Sequence, residues 1–335
     1  MSGHFDSSRW REFRLAAFIM FRPSLILVSL LLAAMGRPPQ PPAAAGVPTV
    51  FAPGIISTGG FESHPAFTPD GRTLYFVKST PSFSFWTICV SRLANGRWSE
   101  PEIAPFSGQY SDADPFITRD GRHLYFISTR PVTAGGAPKD LDIWVMDREA
   151  AGWSAPRALP APINSPGAEW FPSLASNGTL YFGSDRPGGQ GRTDLYRARL
   201  ADGKYAEAEN LGPVVNSPVN DFEPFIAPDE SFLILMTGRP GGRGGADLWV
   251  TYNRDGVWSP PVVVGGGVNS PGTEYSPGLS PDGRTFFWTS ARETFDTEGR
   301  RLTYRELNDR LTKPGNGLGD IYFMDLSALK LEVAR

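Results

Sequence analysis

The sequence predicts an all-β protein, a five-bladed β-propeller of four-stranded antiparallel blades. Three observations carry this. First, the stretch Glu62 to Phe76 (ESHPAFTPDGRTLYF) recurs at Asp112–Phe126, Glu169–Phe182, Asp221–Leu235 and Glu274–Trp288. Each copy has a carboxylate three residues before a proline, then two short apolar runs separated by a turn. A period of about 50 residues belongs to propellers and other arrays. Second, 335 residues with 37 glycines, 32 prolines and 12% aromatics make a turn-rich β composition. Third, one strand near the start has no partner and the last repeat lacks one.

The chain opens with a targeting segment. Ser24 to Met35 is an apolar run the length of a signal-peptide core and too short for a bilayer. Residues 1–36 therefore read as a signal peptide, with Met20 as an alternative start. Ala43-Ala44-Ala45 and Ala34-Met35-Gly36 are alternative cleavage points, and an uncleaved anchor stays open. Residues 37–48 read as a Pro/Ala-rich extended linker, and residues 49–335 as a single propeller domain. The expected location is periplasmic or secreted, with no stable membrane span after cleavage.

Within each unit, strand A follows the proline, as in Ala66-Phe67 and Phe116-Ile117. An Asp-Gly or Asn-Gly pair then makes the tight hairpin that suits twisted antiparallel strands. Blade four has Asp229-Glu230 instead, which predicts a longer or different turn. Strand B is the Leu-Tyr-Phe run. Strand C covers Ile143–Met146, Leu195-Tyr196, Leu248–Val250 and Ile321–Met324. Strand D begins with W-x-x-P at Trp98, Trp153 and Trp258; unit three has Tyr205 and no proline. The fifth unit ends without a W-x-x-P strand. The unpartnered segment 49–57 supplies it, with Ile55-Ile56-Ser57 matching Ile163-Asn164-Ser165, so the N-terminal strand completes the last blade. Closure removes exposed sheet edges.

Ser280-Pro-Asp-Gly-Arg-Thr-Phe-Phe-Trp288 followed by Gly319-Asp-Ile-Tyr322 resembles the WD-repeat-like propellers of bacterial periplasmic proteins, the TolB type of repeat. So does Asp185-Arg-Pro-Gly-Gly-Gln-Gly-Arg-Thr-Asp-Leu-Tyr196. The resemblance covers about residues 62–328. It implies a periplasmic or secreted scaffold, and it brings no shared catalytic residues.

Strand direction separates the two faces of the ring. The A–B and C–D turns lie on one, the B–C and D–A loops on the other. The second face receives the repeated carboxylates Glu62, Asp112, Glu169, Asp221 and Glu274. It also receives the B–C loops, which run from an arginine to an aspartate: Arg130 to Asp142, Arg186 to Asp194, Arg239 to Asp247 and Arg292 to Asp320. A residue repeated in every blade does one job in every blade, whereas catalysis needs unequal acids and bases. These carboxylates are therefore expected to cap backbone N–H groups or pair with the arginines.

Several classes are excluded. A net charge of −3 gives no basic stripe for nucleic acid. The single cysteine, Cys89, lies in a strand and reads as a buried, inert thiol; no cysteine metal site can form. The acidic pairs Asp112/Asp114 and Asp221/Glu223 offer oxygen ligands but no full calcium loop, so no metal and no cofactor is expected, and cation binding by the carboxylate ring stays open as a minor alternative. The Gly-rich B–C loops lack a following helix N-terminus and Gly-Lys-Ser/Thr, so they are not phosphate loops. Of three histidines only His64 is on the loop face. It reads as a solvated loop residue, kept in view for its nearness to Glu62.

Function is sought where the repeat breaks. Blade one lacks the loop arginine and aspartate and carries Phe83, Phe85 and Trp86, candidates for an exposed aromatic patch. Blade five carries the longest loop, in which Thr303 and Glu306 form a capping box and Lys313-Pro314-Gly315 stops a helix. The insert either binds a partner or simply covers the blade-one aromatics. The favoured reading is a non-catalytic, monomeric scaffold that binds a protein or a cell-envelope glycan on the B–C face. Its anchors would be Phe83, Phe85 and Trp86 with Arg300, Arg301 and Arg305. The alternative is a carbohydrate-active hydrolase or lyase using carboxylates at the channel mouth, from among Glu62, Asp114, Glu223 and Glu274.

Overall fold

The computed structural model describes residues 46–332 except 134, 137–139 and 298. The expected signal peptide and the linker up to residue 45 lie outside the described residues.

Five antiparallel sheets surround a central channel as the blades of a propeller. The A strands line the channel: Phe61–Phe67, Asp112–Ile117, Glu169–Leu174, Asp221–Ile226 and Glu274–Leu279. The B strands follow at Thr73–Ser79, His123–Ser128, Leu180–Ser184, Phe232–Thr237 and Thr285–Ser290. The C strands are Trp86–Ala94, Asp142–Glu149, Asp194–Ala198, Asp247–Arg254 and Asp320–Asp325. The outer D edge is broken into two-residue pieces, such as Arg97–Trp98 and Glu102–Ile103, because W-x-x-P interrupts the ladder.

Thr49–Val50 pairs antiparallel with the fifth C strand, Thr49 opposite Phe323 and Val50 opposite Tyr322, and closes the ring. The alignment of its continuation is one residue further on than the sequence suggested. Ser57 takes the place of Asn164: its Oγ accepts from Ile321 N at 3.1 Å, as Asn164 Oδ1 accepts from Ile143 N at 2.8 Å. Ile56, not Ile55, is thus the counterpart of Ile163, and both are fully buried. Asn216 and Asn269 hold Leu195 and Leu248 in the same way.

The aromatic that opens strand D locks neighbouring blades. Trp153 Nε1 donates to Tyr75 Oη of blade one at 2.9 Å. Tyr205 meets Tyr125 of blade two through their hydroxyls at 3.3 Å, and the Trp258 ring stands edge-on to Tyr181 of blade three. Blade three therefore keeps the contact with tyrosine in place of tryptophan.

The fourth A–B turn corrects the expectation of a different length. Glu230 N donates to Ala227 O at 2.9 Å, as Gly71 N donates to Thr68 O at 2.8 Å. Glu230 adopts φ +58°, the left-handed conformation that glycine takes in the other blades. That costs a residue with a Cβ roughly 1 kcal/mol. Its carboxylate offsets the cost by accepting from Tyr181 Oη and Asn177 Nδ2, both at 2.7 Å.

The five repeated carboxylates are completely buried at the start of strand A. Arg130, Arg186 and Arg239 reach Asp112, Glu169 and Asp221 at 2.8, 3.0 and 2.7 Å, and Arg292 stands 3.9 Å from Glu274. Each guanidinium also donates to a carbonyl of the preceding D–A loop: Phe106, Ile163, Val215 or Val268. It lies over an aromatic ring of its own blade as well, such as Phe126, Phe182, Trp249 or Tyr322. Blade one has no loop arginine. Lys78, at the end of strand B, supplies the cation to Glu62 at 2.7 Å. The second carboxylate oxygen accepts from a serine or threonine upstream, for example Thr58 N at 2.9 Å and Ser270 N at 2.8 Å.

A buried pair that loses one partner leaves a charge without an anion or cation, at about 3–5 kcal/mol. Asp221→Asn strips the anion from Arg239, itself only 13% exposed. It is expected to lower the unfolding free energy from urea titration by an amount of that order, and the midpoint with it, with Arg239→Met on the same background recovering part of the loss. An unchanged midpoint in D221N would show that the pair contributes nothing to the fold.

Candidate functional site

Each A strand carries a β-bulge at the residue before its proline. The register with strand B slips between Ser63 and Ala66, Ala113 and Phe116, Trp170 and Ser173, Phe222 and Phe225, and Tyr275 and Gly278. The bulged residues are His64, Asp114, Phe171, Glu223 and Ser276, with φ of +54°, +52°, +47°, +54° and +53°. A bulge re-aims a side chain out of the ladder. Here five bulges aim one residue per blade at the channel axis. The backbone is repeated five times, yet the five side chains all differ.

Three of them meet. His64 Nε2 lies 2.9 Å from Asp114 Oδ1 and 3.4 Å from Glu223 Oε1, and its Nδ1 is 2.7 Å from Ser63 Oγ. The other two spokes supply backbone. Phe171 N donates to Asp114 Oδ2 at 2.9 Å, and Ser276 N donates to Glu223 Oε2. Burial by itself would lower the pKa of His64. Asp114 first and Glu223 second more than offset that and lift it to about 10. His64 is therefore an imidazolium at neutral pH, donating from both nitrogens. It is buried, at 8% exposure, and is not the solvated loop residue expected; its partners are Asp114 and Glu223, not Glu62.

Above this floor, on the B–C face, opens a funnel of about 470 Å³. Its walls are chiefly apolar: Phe61, Phe83, Trp86, Trp170, Phe222 and Tyr275. Among the described residues lining it, only His64, Asp114 and Glu223 carry charge. Below the floor a smaller cavity of about 80 Å³ continues the channel between the prolines that follow the bulges.

The candidate residues divide. Phe83 and Trp86 line the funnel, with the Phe83 ring 4.3 Å from Phe61. Phe85, 38% exposed, does not. Arg300, Arg301 and Arg305 sit on the blade-five insert, Arg300 2.9 Å from Glu306, and none lines the funnel. The insert forms helix α1, Tyr304–Leu311, with the capping box on Thr303. Its end packs on the loop entering blade one, where Asn316 Nδ2 donates to Gly59 O at 3.2 Å. Gly59 lies so close to Thr312 that a Cβ would strike its carbonyl.

Three of the loop aspartates, Asp194, Asp247 and Asp320, accept from backbone N–H groups. Asp194 accepts from Gln190 N and Gly191 N at 2.6 and 2.9 Å, and Asp247 from Arg243 N and Gly244 N at 2.7 and 3.0 Å. Asp142 is buried at the equivalent position. Asp320 accepts from Gly315 N at 2.7 Å. Burial pushes its carboxyl up to about 7, against the Gly315 bond and with a smaller upward push from Glu62. Cys89 is buried, and burial raises its thiol to about 11. No group of metal-ligating side chains occurs among the described residues, and no described helix is long and apolar enough to cross a membrane.

No family profile and no curated protein sequence matches the chain. Solved structures do resemble it. A protein described as TolB from Agrobacterium tumefaciens is 16% identical, over 80% of this chain and 91% of its own, with a TM-score of 0.46. The Hadza microbial sialidase is 15% identical, over 80% and 66%, at 0.47. A puromycin-hydrolyzing peptidase of Mycobacterium tuberculosis is 18% identical, over 78% and 42%, at 0.38. All three are likenesses at under 20% identity and TM-scores under 0.5.

The protonated form of His64 is favoured by the folded state. Its stabilisation is fully present below the ordinary value of 6.5 and is lost as pH rises towards 10. Unfolding free energy is therefore expected to decline between pH 7 and 9.5 in urea titrations, with a flatter profile for His64→Gln. Equal slopes in the two proteins would mean that His64 keeps its ordinary pKa.

Proposed function

We propose that this protein is a non-catalytic, monomeric binding propeller of the cell envelope that receives its ligand in the aromatic funnel on the B–C face. Residues 1–36 act as the export signal, residues 37–48 as a spacer, and the propeller works in the periplasm or outside the cell without a cofactor. The ligand is a protein or an envelope glycan that presents an apolar group to the funnel.

The observation that supports this reading is the composition of the channel mouth. Six aromatic rings converge on a cavity of ligand size, and aromatic-lined concavities with a few polar groups at the base are the usual form of binding sites. The departures from the repeat, in blade one and at the bulges, contribute to this one place. Against hydrolysis stands the state of the carboxylates. Asp114 and Glu223 are each engaged by His64 and a backbone N–H, and the repeated carboxylates are engaged by arginine or lysine. A glycosidase needs one carboxyl free to give up a proton and another free to attack or activate water.

The test is capture from envelope extract by the mature protein, by F83A and W86A, and by F85A as a control outside the funnel. Truncating an anchor aromatic at an interface costs on the order of 2 kcal/mol. W86A and F83A are expected to lose capture at least about tenfold with thermal unfolding little changed, and F85A to retain it. Capture unaffected by F83A and W86A would remove the funnel from the function. Glycan cleavage lost in E223Q would favour the hydrolase instead.

A further inference from the structure

The floor of the funnel has a definite chemical preference. Two carboxyl groups, Asp114 and Glu223, share the one imidazole of His64 at the base of an apolar enclosure. No lysine or arginine lines the funnel among the described residues. Both nitrogens of His64 are already used within the floor, on the carboxylates and on Ser63 Oγ. The floor itself offers acceptor capacity, carboxylate oxygens with one donor each and lone pairs to spare, while Trp86 and Tyr275 of the walls hold Nε1 and Oη without a partner among the described residues. Ser276 Oγ, in the same ring beside Glu223 and 1% exposed, has no hydrogen-bond partner among the described residues. An anion meets repulsion here. The walls are six aromatic rings, which favour an apolar surface on the ligand. A group that donates at one end and is apolar elsewhere meets both requirements, and aromatic rings around a cation add their own attraction.

We infer that the funnel takes an ammonium group carried on an apolar body, such as an aralkyl primary amine or the N-terminus of an apolar peptide, with the ammonium seated on Asp114 and Glu223 and the body against the aromatic walls. This rests on the binding reading above and names the ligand class for that site. Glu223 is the more accessible of the two carboxylates, with 13% of its side chain exposed against 7% for Asp114, and is the better residue to vary.

The experiment titrates the intact mature protein at pH 7.5 with phenethylamine, 2-phenylethanol and phenylacetate. These share a ring and differ in the charge of the head. Binding is read by calorimetry and by the fluorescence of Trp86 and Trp170. The amine is expected to bind at least tenfold more tightly than the alcohol, phenylacetate not measurably, and E223Q to bring the amine down to the level of the alcohol. A second arm compares phenylalanyl-glycinamide with its Nα-acetylated form. Preference for the free peptide over phenethylamine assigns the site to peptide termini, and the reverse assigns it to small amines; either supports the inference. Alcohol or phenylacetate binding as tightly as the amine overturns it, and so does an E223Q protein that folds and binds the amine unchanged. If none of the probes binds while envelope capture still depends on Trp86, the ammonium inference falls and the binding function stands. If capture is also independent of Trp86, both fall.

Discussion

The structure depends on an ion pair to a buried carboxylate, made five times. A carboxylate at the start of strand A and a cation after strand B hold each blade at its channel end. The geometry decides why this is affordable. The carboxylate accepts from a Ser or Thr upstream as well as from the cation, and the arginine stacks on an aromatic while donating to the carbonyl of the loop arriving from the previous blade. Many lone pairs and N–H groups find a partner, the condition under which a buried pair is tolerated, although burial still pushes the Glu169 carboxyl up and the Arg292 guanidinium down. The clamp joins strand A, the B–C loop and the D–A loop, so it fixes the mouth of the channel and everything aimed into it.

Three residues beyond each carboxylate stands a proline, and between them lies the bulge. Proline has no N–H to give the ladder, so the pairing breaks there in every blade. A left-handed residue with a Cβ is strained by about 1–3 kcal/mol. Repeating that strain five times with histidine, aspartate, phenylalanine, glutamate and serine is poor economy for a scaffold alone, since glycine would accept the same φ. The backbone is uniform because the fold requires it. The side chains are not uniform, because the axis of the ring is the one place where five blades put unlike groups within contact of each other.

Much of the fold was legible because a repeat reports contacts that each blade makes with itself and its neighbour. The carboxylate, the proline, the Gly turn and the W-x-x-P element are all of this kind, and the unpartnered N-terminal strand follows from counting. The floor of the funnel was not legible in the same way. His64 sits two residues past Glu62 in a segment that reads as loop, and its partners come from blades two and four, separated from it by 50 and 159 positions. The only signal available was a position whose occupant changes in every copy between a carboxylate two residues before it and a proline directly after it, and the residue in between changes as well. Glu230 failed for a related reason. Its left-handed turn is supported by Tyr181 and Asn177 of the neighbouring blade, a long-range contact that local turn rules do not contain.

The same axis explains why charge at the site is unbalanced. Elsewhere each repeated carboxylate has its own cation, while the buried loop aspartates Asp194, Asp247 and Asp320 are held by backbone N–H groups. At the floor one imidazolium serves two carboxylates, and the deficit is borne by backbone N–H groups of Phe171 and Ser276 that can orient the oxygens without neutralising them. A protein that needed only to plug its channel could place an apolar residue at each bulge, as it does with Phe171. Two carboxyl groups on one imidazole at the base of an apolar funnel are the arrangement that the inferred ammonium ligand would complement.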